Sequence, residues 1–182
     1  MNNLNKGIIS IAIVAVLVNT IIGVSYSYFT SNLSGEEVAN TILTDEGKMI
    51  ITYANNDNKV ELNNIKPSNK AVLTKKFAVD GTTNNTSEMK YSIYLNVENN
   101  NFLNNSLTCS LIGRSLKKEQ DLVNVNNLYI PNNGELKLGT GSFKNAESYI
   151  HEYELNIYYL NKGNNKDKNN FSGKIIVKYE ER

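Results

Sequence analysis

Residues Tyr149–Leu160 read YIHEYELNIYYL. Tyr149, Tyr153, Leu155, Ile157 and Tyr159 fall on one side of this stretch, and Glu152, Glu154 and Asn156 on the other. A period of two predicts a strand with one face in a core and one in water, the pattern of antiparallel sheets. YSIYLNVE repeats it, with Tyr91, Ile93, Leu95 and Val97 inside and Ser92, Tyr94, Asn96 and Glu98 outside. So does FSGKIIVKYE, with Phe171, Ile175, Val177 and Tyr179 inside and Lys174 and Lys178 outside. Further strands are expected at Lys48–Tyr53, Lys59–Leu62, Val72–Val79, Leu107–Ile112 and Glu135–Leu138. Many short strands separated by turns predict an all-β antiparallel sandwich.

The connections are rich in asparagine, which makes up 32 of the 182 residues. Pairs such as Asn55-Asn56, Asn84-Asn85, Asn132-Asn133 and Asn164-Asn165 read as turns, because Asn tolerates the left-handed backbone. A compositional bias of the genome accounts for the abundance equally well. Five N-x-S/T sequons, at Asn32, Asn84, Asn85, Asn104 and Asn170, are expected by chance at this content. Pro67 and Pro131 mark strand ends or loops. Helix is scarce. SGEEVANTIL, with Ser34 and Glu37 spaced as a capping box, reads as a short helix or the start of a strand. SLKKEQDLVNV, from Ser115, has room for one helical turn.

The first 29 residues differ from the rest. Lys6 precedes an uncharged, largely apolar run from Gly7 to Val24, interrupted by Asn19-Thr20. As a helix that run is about 27 Å long, close to a hydrocarbon core of about 30 Å. It reads either as an export signal or as a retained membrane anchor. Ser25 and Ser27 place small residues at −3 and −1 of a cut before Tyr28. The domains are therefore residues 1–27, an export signal peptide or retained anchor, and residues 28–182, an extracellular β-sandwich. A pilin-type signal cut after Gly7 would want glutamate where Ala12 stands.

GVSYSYFTSN, residues 23–32, closes the apolar run with an aromatic pair, Tyr28-Phe29. It resembles the signal of the TasA/camelysin-like exported proteins of Gram-positive bacteria, whose dedicated signal peptidase cuts just before an aromatic pair. The resemblance covers about ten residues in detail, and only the order of strands and turns beyond them. It implies a jelly-roll-like sandwich at the cell surface or outside the cell. It also implies biofilm-matrix fibres built by donating an N-terminal strand to the next subunit. The donor here would be Tyr28, Phe29, Thr30, Ser31, Asn32 and Leu33, and the partner a second copy. The alternative is a membrane-anchored adhesion or ligand-binding module held by residues 7–24.

Removing residues 1–27 leaves 155 residues with 18 basic and 18 acidic side chains. Such a length buries about 70% of its unfolded surface. Zero net charge argues against nucleic-acid binding and lowers the barrier to self-association. The camelysin side of the resemblance raises a metalloprotease, but the chain holds one histidine. In HEYEL, Leu155 stands where H-E-x-x-H requires its second ligand. In a strand, His151 and Glu152 point to opposite faces, and His151 is expected partly buried at a sheet end. Cys109, in LTCSL, reads as a buried structural cysteine. Asp57 and Asp167 offer calcium oxygens without EF-hand spacing. Gly139 and Gly141 in LGTGSF lack the rest of a phosphate loop. Tyr53, Tyr94 and Tyr158 fall on or near outward faces, as sheet packing or as interface residues. No enzymatic activity, metal or cofactor is expected.

Overall fold

The computed structural model describes residues 40–84, 88–103, 105–115, 122–144, 148–160 and 169–181. Ten strands form two antiparallel sheets. The six-stranded sheet holds β1 (Asn40–Thr44), β2 (Gly47–Tyr53), β4 (Leu73–Thr83), β9 (Ser148–Tyr159), β6 (Leu107–Ser115) and β7 (Val125–Tyr129), in that spatial order. The four-stranded sheet holds β3 (Lys59–Asn63), β10 (Asn170–Glu180), β5 (Met89–Asn100) and β8 (Gly134–Phe143). From β2 to β6 the chain changes sheet at every connection, so neighbours in sequence face each other across the core.

The period-two positions build that core. Tyr91, Ile93, Leu95 and Val97 from β5 meet Tyr149, Tyr153, Leu155, Ile157 and Tyr159 from β9 in one buried cluster. Phe171, Ile175 and Val177 join them from β10. Aromatic rings interlock between the sheets: Phe143 of β8 stacks on His151 of β9 with centroids 4.3 Å apart. Opposite the same ring, β4 carries Gly81, where a Cβ would lie 2.2 Å from Phe143 Cδ2. The missing side chain is the space the ring occupies.

Asparagine has a defined backbone role. Asn55, Asn56, Asn64, Asn105 and Asn127 adopt φ between 50° and 61°, and they are all the non-glycine residues at positive φ among those described. This is the left-handed region that Asn enters more readily than other side chains. Asn55 and Asn56 turn the chain from β2 towards β3. Asn132-Asn133 lie at the bend before β8, and Pro131 follows β7. Asn164-Asn165 lie outside the described residues.

Several expectations need correction. The sequence left Asn40–Leu43 as helix or strand, and it is β1; Ser34–Ala39 lie outside the described residues. The helical turn sought after Ser115 is not found in the described part: Leu122–Asn124 have no regular structure and Val125 opens β7. β8 continues through Gly139 and Gly141 to Phe143, five residues beyond the expected end. Ser92 does lie on the outer face but is fully buried, hydrogen-bonded to Thr140 at 2.8 Å. Asn156, also expected in water, is buried and accepts from Thr74 Oγ1 at 2.6 Å. The N-terminal helix expected over residues 7–24 lies outside the described residues.

Gly81→Ala should drive a methyl group into the Phe143 ring. Overpacking of this kind costs about 1–3 kcal/mol, read as a lower urea midpoint with an unchanged denaturant slope.

Candidate functional site

Two features stand out: a chain of buried polar groups between the sheets, and the unequal treatment of the four sheet edges. Tyr91 projects from β5 and its hydroxyl lies 2.6 Å from both His151 Nδ1 and Tyr153 Oη. The Val123 N–H donates to Tyr153 Oη at 3.3 Å. A backbone N–H can only donate, so Tyr153 Oη accepts from Val123. Val123, Tyr153, Tyr91 and His151 thus form one continuous chain, in which the Tyr153–Tyr91 and Tyr91–His151 bonds can run either way. His151 Nδ1 bonds Tyr91, while its Nε2 is buried with no hydrogen-bond partner among the described residues.

The surroundings hold these groups uncharged. Burial lowers the His151 pKa from 6.5 to about 4. Burial is also the main reason both phenols are raised. His151 is 0% exposed rather than partly exposed at a sheet end. It pairs with Val79 on β4 and Ser115 on β6, three residues into β9. Glu152 faces the opposite way, against Arg114 and Lys76. The two halves of HEYEL are thus on opposite sides of a sheet. No group of three or more His, Cys, Asp or Glu residues could hold a metal among the described residues.

The other candidates resolve as structure. Asp57 accepts from the Lys59 N–H at 2.9 Å and pairs with Lys75 at 3.4 Å; Asp167 lies outside the described residues. Cys109 is fully buried, and burial pushes its thiol up to about 12. Gly139 and Gly141 belong to a strand, not a phosphate loop. Tyr53, expected near an outward face, is a core residue whose hydroxyl donates to the Ile175 carbonyl at 3.2 Å, tying β2 to β10. Tyr94 and Tyr158 are partly exposed. The Lys178 and Lys137 ammoniums lie 4.8 and 5.8 Å from the Tyr94 ring centre.

An edge strand offers unpaired backbone groups to any extended chain, and charge, proline or a bulge ordinarily guards it. In the four-stranded sheet both edges carry charge: Lys59 and Glu61 on β3, Glu135 and Lys137 on β8. In the six-stranded sheet neither edge does. β7 is nevertheless distorted. It pairs with β6 at three positions around an irregularity, with Asn127 at φ 55°. β1 has no such defect. All five of its residues pair in register with β2, none is charged, and Leu43 is 75% exposed. Beside β1 opens a cleft of about 610 Å³ lined by Ile42, Leu43, Thr44, Asp45, Glu46, Tyr179 and Glu181, in which the Tyr179 hydroxyl donates to Glu46. The edge was missed in the sequence because NTILT is short and sits in a segment with a helix-capping pattern.

Ser25, Ser27 and the segment Tyr28, Phe29, Thr30, Ser31, Asn32 and Leu33 lie outside the described residues, seven or more positions before β1. Comparison with protein-family models, curated proteins and solved structures gives no match.

The buried histidine makes stability pH-dependent. The unfolded chain takes up a proton on His151 near pH 6.5, the folded chain only near pH 4. Stability should be unaffected above pH 6.5 and fall between pH 6.5 and 4, by about 3 kcal/mol in all at about 1.4 kcal/mol per pH unit. Urea midpoints of the wild type and of His151→Gln, taken across that window, should diverge, with the variant giving the flatter curve.

Proposed function

We propose that the chain is a non-enzymatic structural subunit that is exported, cut before Tyr28 by a signal peptidase, and assembled by strand addition at the cell surface or outside the cell. The observation that carries this reading is β1. It is a regular, uncharged sheet edge with an apolar side chain standing in solvent, next to an open cleft. Strand addition uses such an edge for backbone hydrogen bonds and the adjoining pocket for side chains. Tyr28–Leu33 has the composition of a donor: two aromatics, a leucine, no charge and no proline. The equal numbers of acidic and basic groups after the cut agree with self-association.

The resemblance of GVSYSYFTSN to TasA/camelysin-like signals supports the same reading and brings with it the jelly-roll form of the sandwich. The repeated change of sheet from strand to strand suits that form. Against a protease stands the chemistry of HEYEL. Its histidine is buried in a phenol chain, and its glutamate belongs to the other face.

Electron microscopy of protein beginning at Tyr28 should show filaments at high protein concentration, and protein beginning at Ser34 should show none. Monomers alone from both would sink the reading. Amino-terminal sequencing of the protein recovered from culture medium should begin at Tyr28. Zinc should leave both the thermal midpoint and casein digestion unchanged.

A further inference from the structure

Resting on that reading, we propose that the segment Tyr28–Leu33 of each chain docks first on its own β1 edge. The subunit would then cap itself and add to a neighbour only by exchanging this strand. Three observations converge on β1 as the docking place. It is the one edge of the described sheets with neither charge nor bulge. The 39 residues that precede the described structure end at its first residue, Asn40. The cleft at its far end is lined in part by three carboxylates, Asp45, Glu46 and Glu181, of which Glu46 accepts from the Tyr179 hydroxyl.

Side-chain parity fits. On β1, Asn40, Ile42 and Thr44 face the core side, where Ile42 packs on the cluster and Thr44 Oγ1 reaches the Met89 sulfur. Thr41 and Leu43 face out. An antiparallel strand joined through the six residues 34–39 sets Leu33 across from Asn40, Ser31 across from Ile42 and Phe29 across from Thr44. Opposed residues share a face, so Phe29 and Leu33 fall on the core side. Tyr28 then lies across from Asp45. The cut frees the α-amino group of Tyr28, a cation at neutral pH, within reach of the carboxylates of the cleft. Lys48, the nearest basic residue on β2, pairs in register with Leu43 and interacts with Asp80.

The choice between own edge and neighbour's edge is one of concentration. A strand on a short link is presented at an effective concentration on the order of millimolar. In a micromolar solution, the chain's own strand outcompetes a neighbour's by about a thousandfold. Exchange becomes competitive only when subunits are crowded, and the exchanged form is head-to-tail and able to propagate.

The test uses protein beginning at Tyr28 with Thr30→Cys and Leu43→Cys, two outward positions that the register sets opposite each other. A second protein carries Thr30→Cys with Tyr129→Cys, on the other edge of the sheet. Cys109, buried with a raised thiol, stays in place. Each protein is oxidised with glutathione disulfide at micromolar concentration, and circular dichroism checks that both are folded. The expected result is a disulfide within the monomer for the Leu43 pair, in a proportion unchanged by tenfold dilution, and at least tenfold less for the Tyr129 pair. Covalent dimers and ladders instead would mean the neighbour's edge is taken first and overturn self-capping. No preference for Leu43 would overturn β1 as the dock. Filaments without a β1 crosslink would remove this inference and leave strand addition standing. An intramolecular crosslink with no filaments at any concentration would do the reverse.

Discussion

The Tyr91 hydroxyl joins the two sheets by hydrogen bonds as well as by apolar contact. It leaves the four-stranded sheet and hydrogen-bonds both Tyr153 and His151 on β9 of the other sheet. Three large polar residues at the centre of a sandwich would each be costly to bury alone. Linked from the Val123 N–H through Tyr153 and Tyr91 to His151 Nδ1, they satisfy one another except at His151 Nε2, and they fix the lateral register of the sheets. A slip of β9 by one residue would send His151 and Tyr153 outward and break the chain at both ends. The aromatic packing of Phe143 against His151 and Gly81 depends on the same register.

Most of this architecture is legible in the sequence, because water on one side and core on the other impose a strict period of two. YIHEYELNIYYL and YSIYLNVE meet that condition residue by residue, and their faces are as the alternation requires. The exceptions have local causes. Ser92 is shielded by Thr140, and Asn156 is drawn in by Thr74. β1 and β7 are edge strands of five residues, one half-exposed and one bulged, so neither has a period to detect. Tyr53 ends β2 at a point where alternation alone does not separate core from rim, and its hydroxyl finds a carbonyl in the other sheet.

The candidate site was less legible. Sequence patterns advertise catalytic and metal chemistry through spaced ligands, and HEYEL drew attention for that reason. An assembly edge advertises itself by what it lacks: charge, proline and a bulge. Those absences gain meaning only once the strand order shows which strands are terminal. The lysines and glutamates of β3 and β8 are visible in the sequence, but that they guard open edges follows only from the strand order.

The outer face of the four-stranded sheet bears on how copies can meet. Lys174 pairs with Glu98, Lys178 with Glu135 and Lys137 with Glu180. Each exposed pair contributes little to stability. Pressing two such faces together would strip water from all six charges, and that desolvation is costly. Broadside stacking is therefore opposed while end-on addition is not. Any side-by-side contact through this face would need some other agent to cover its charges.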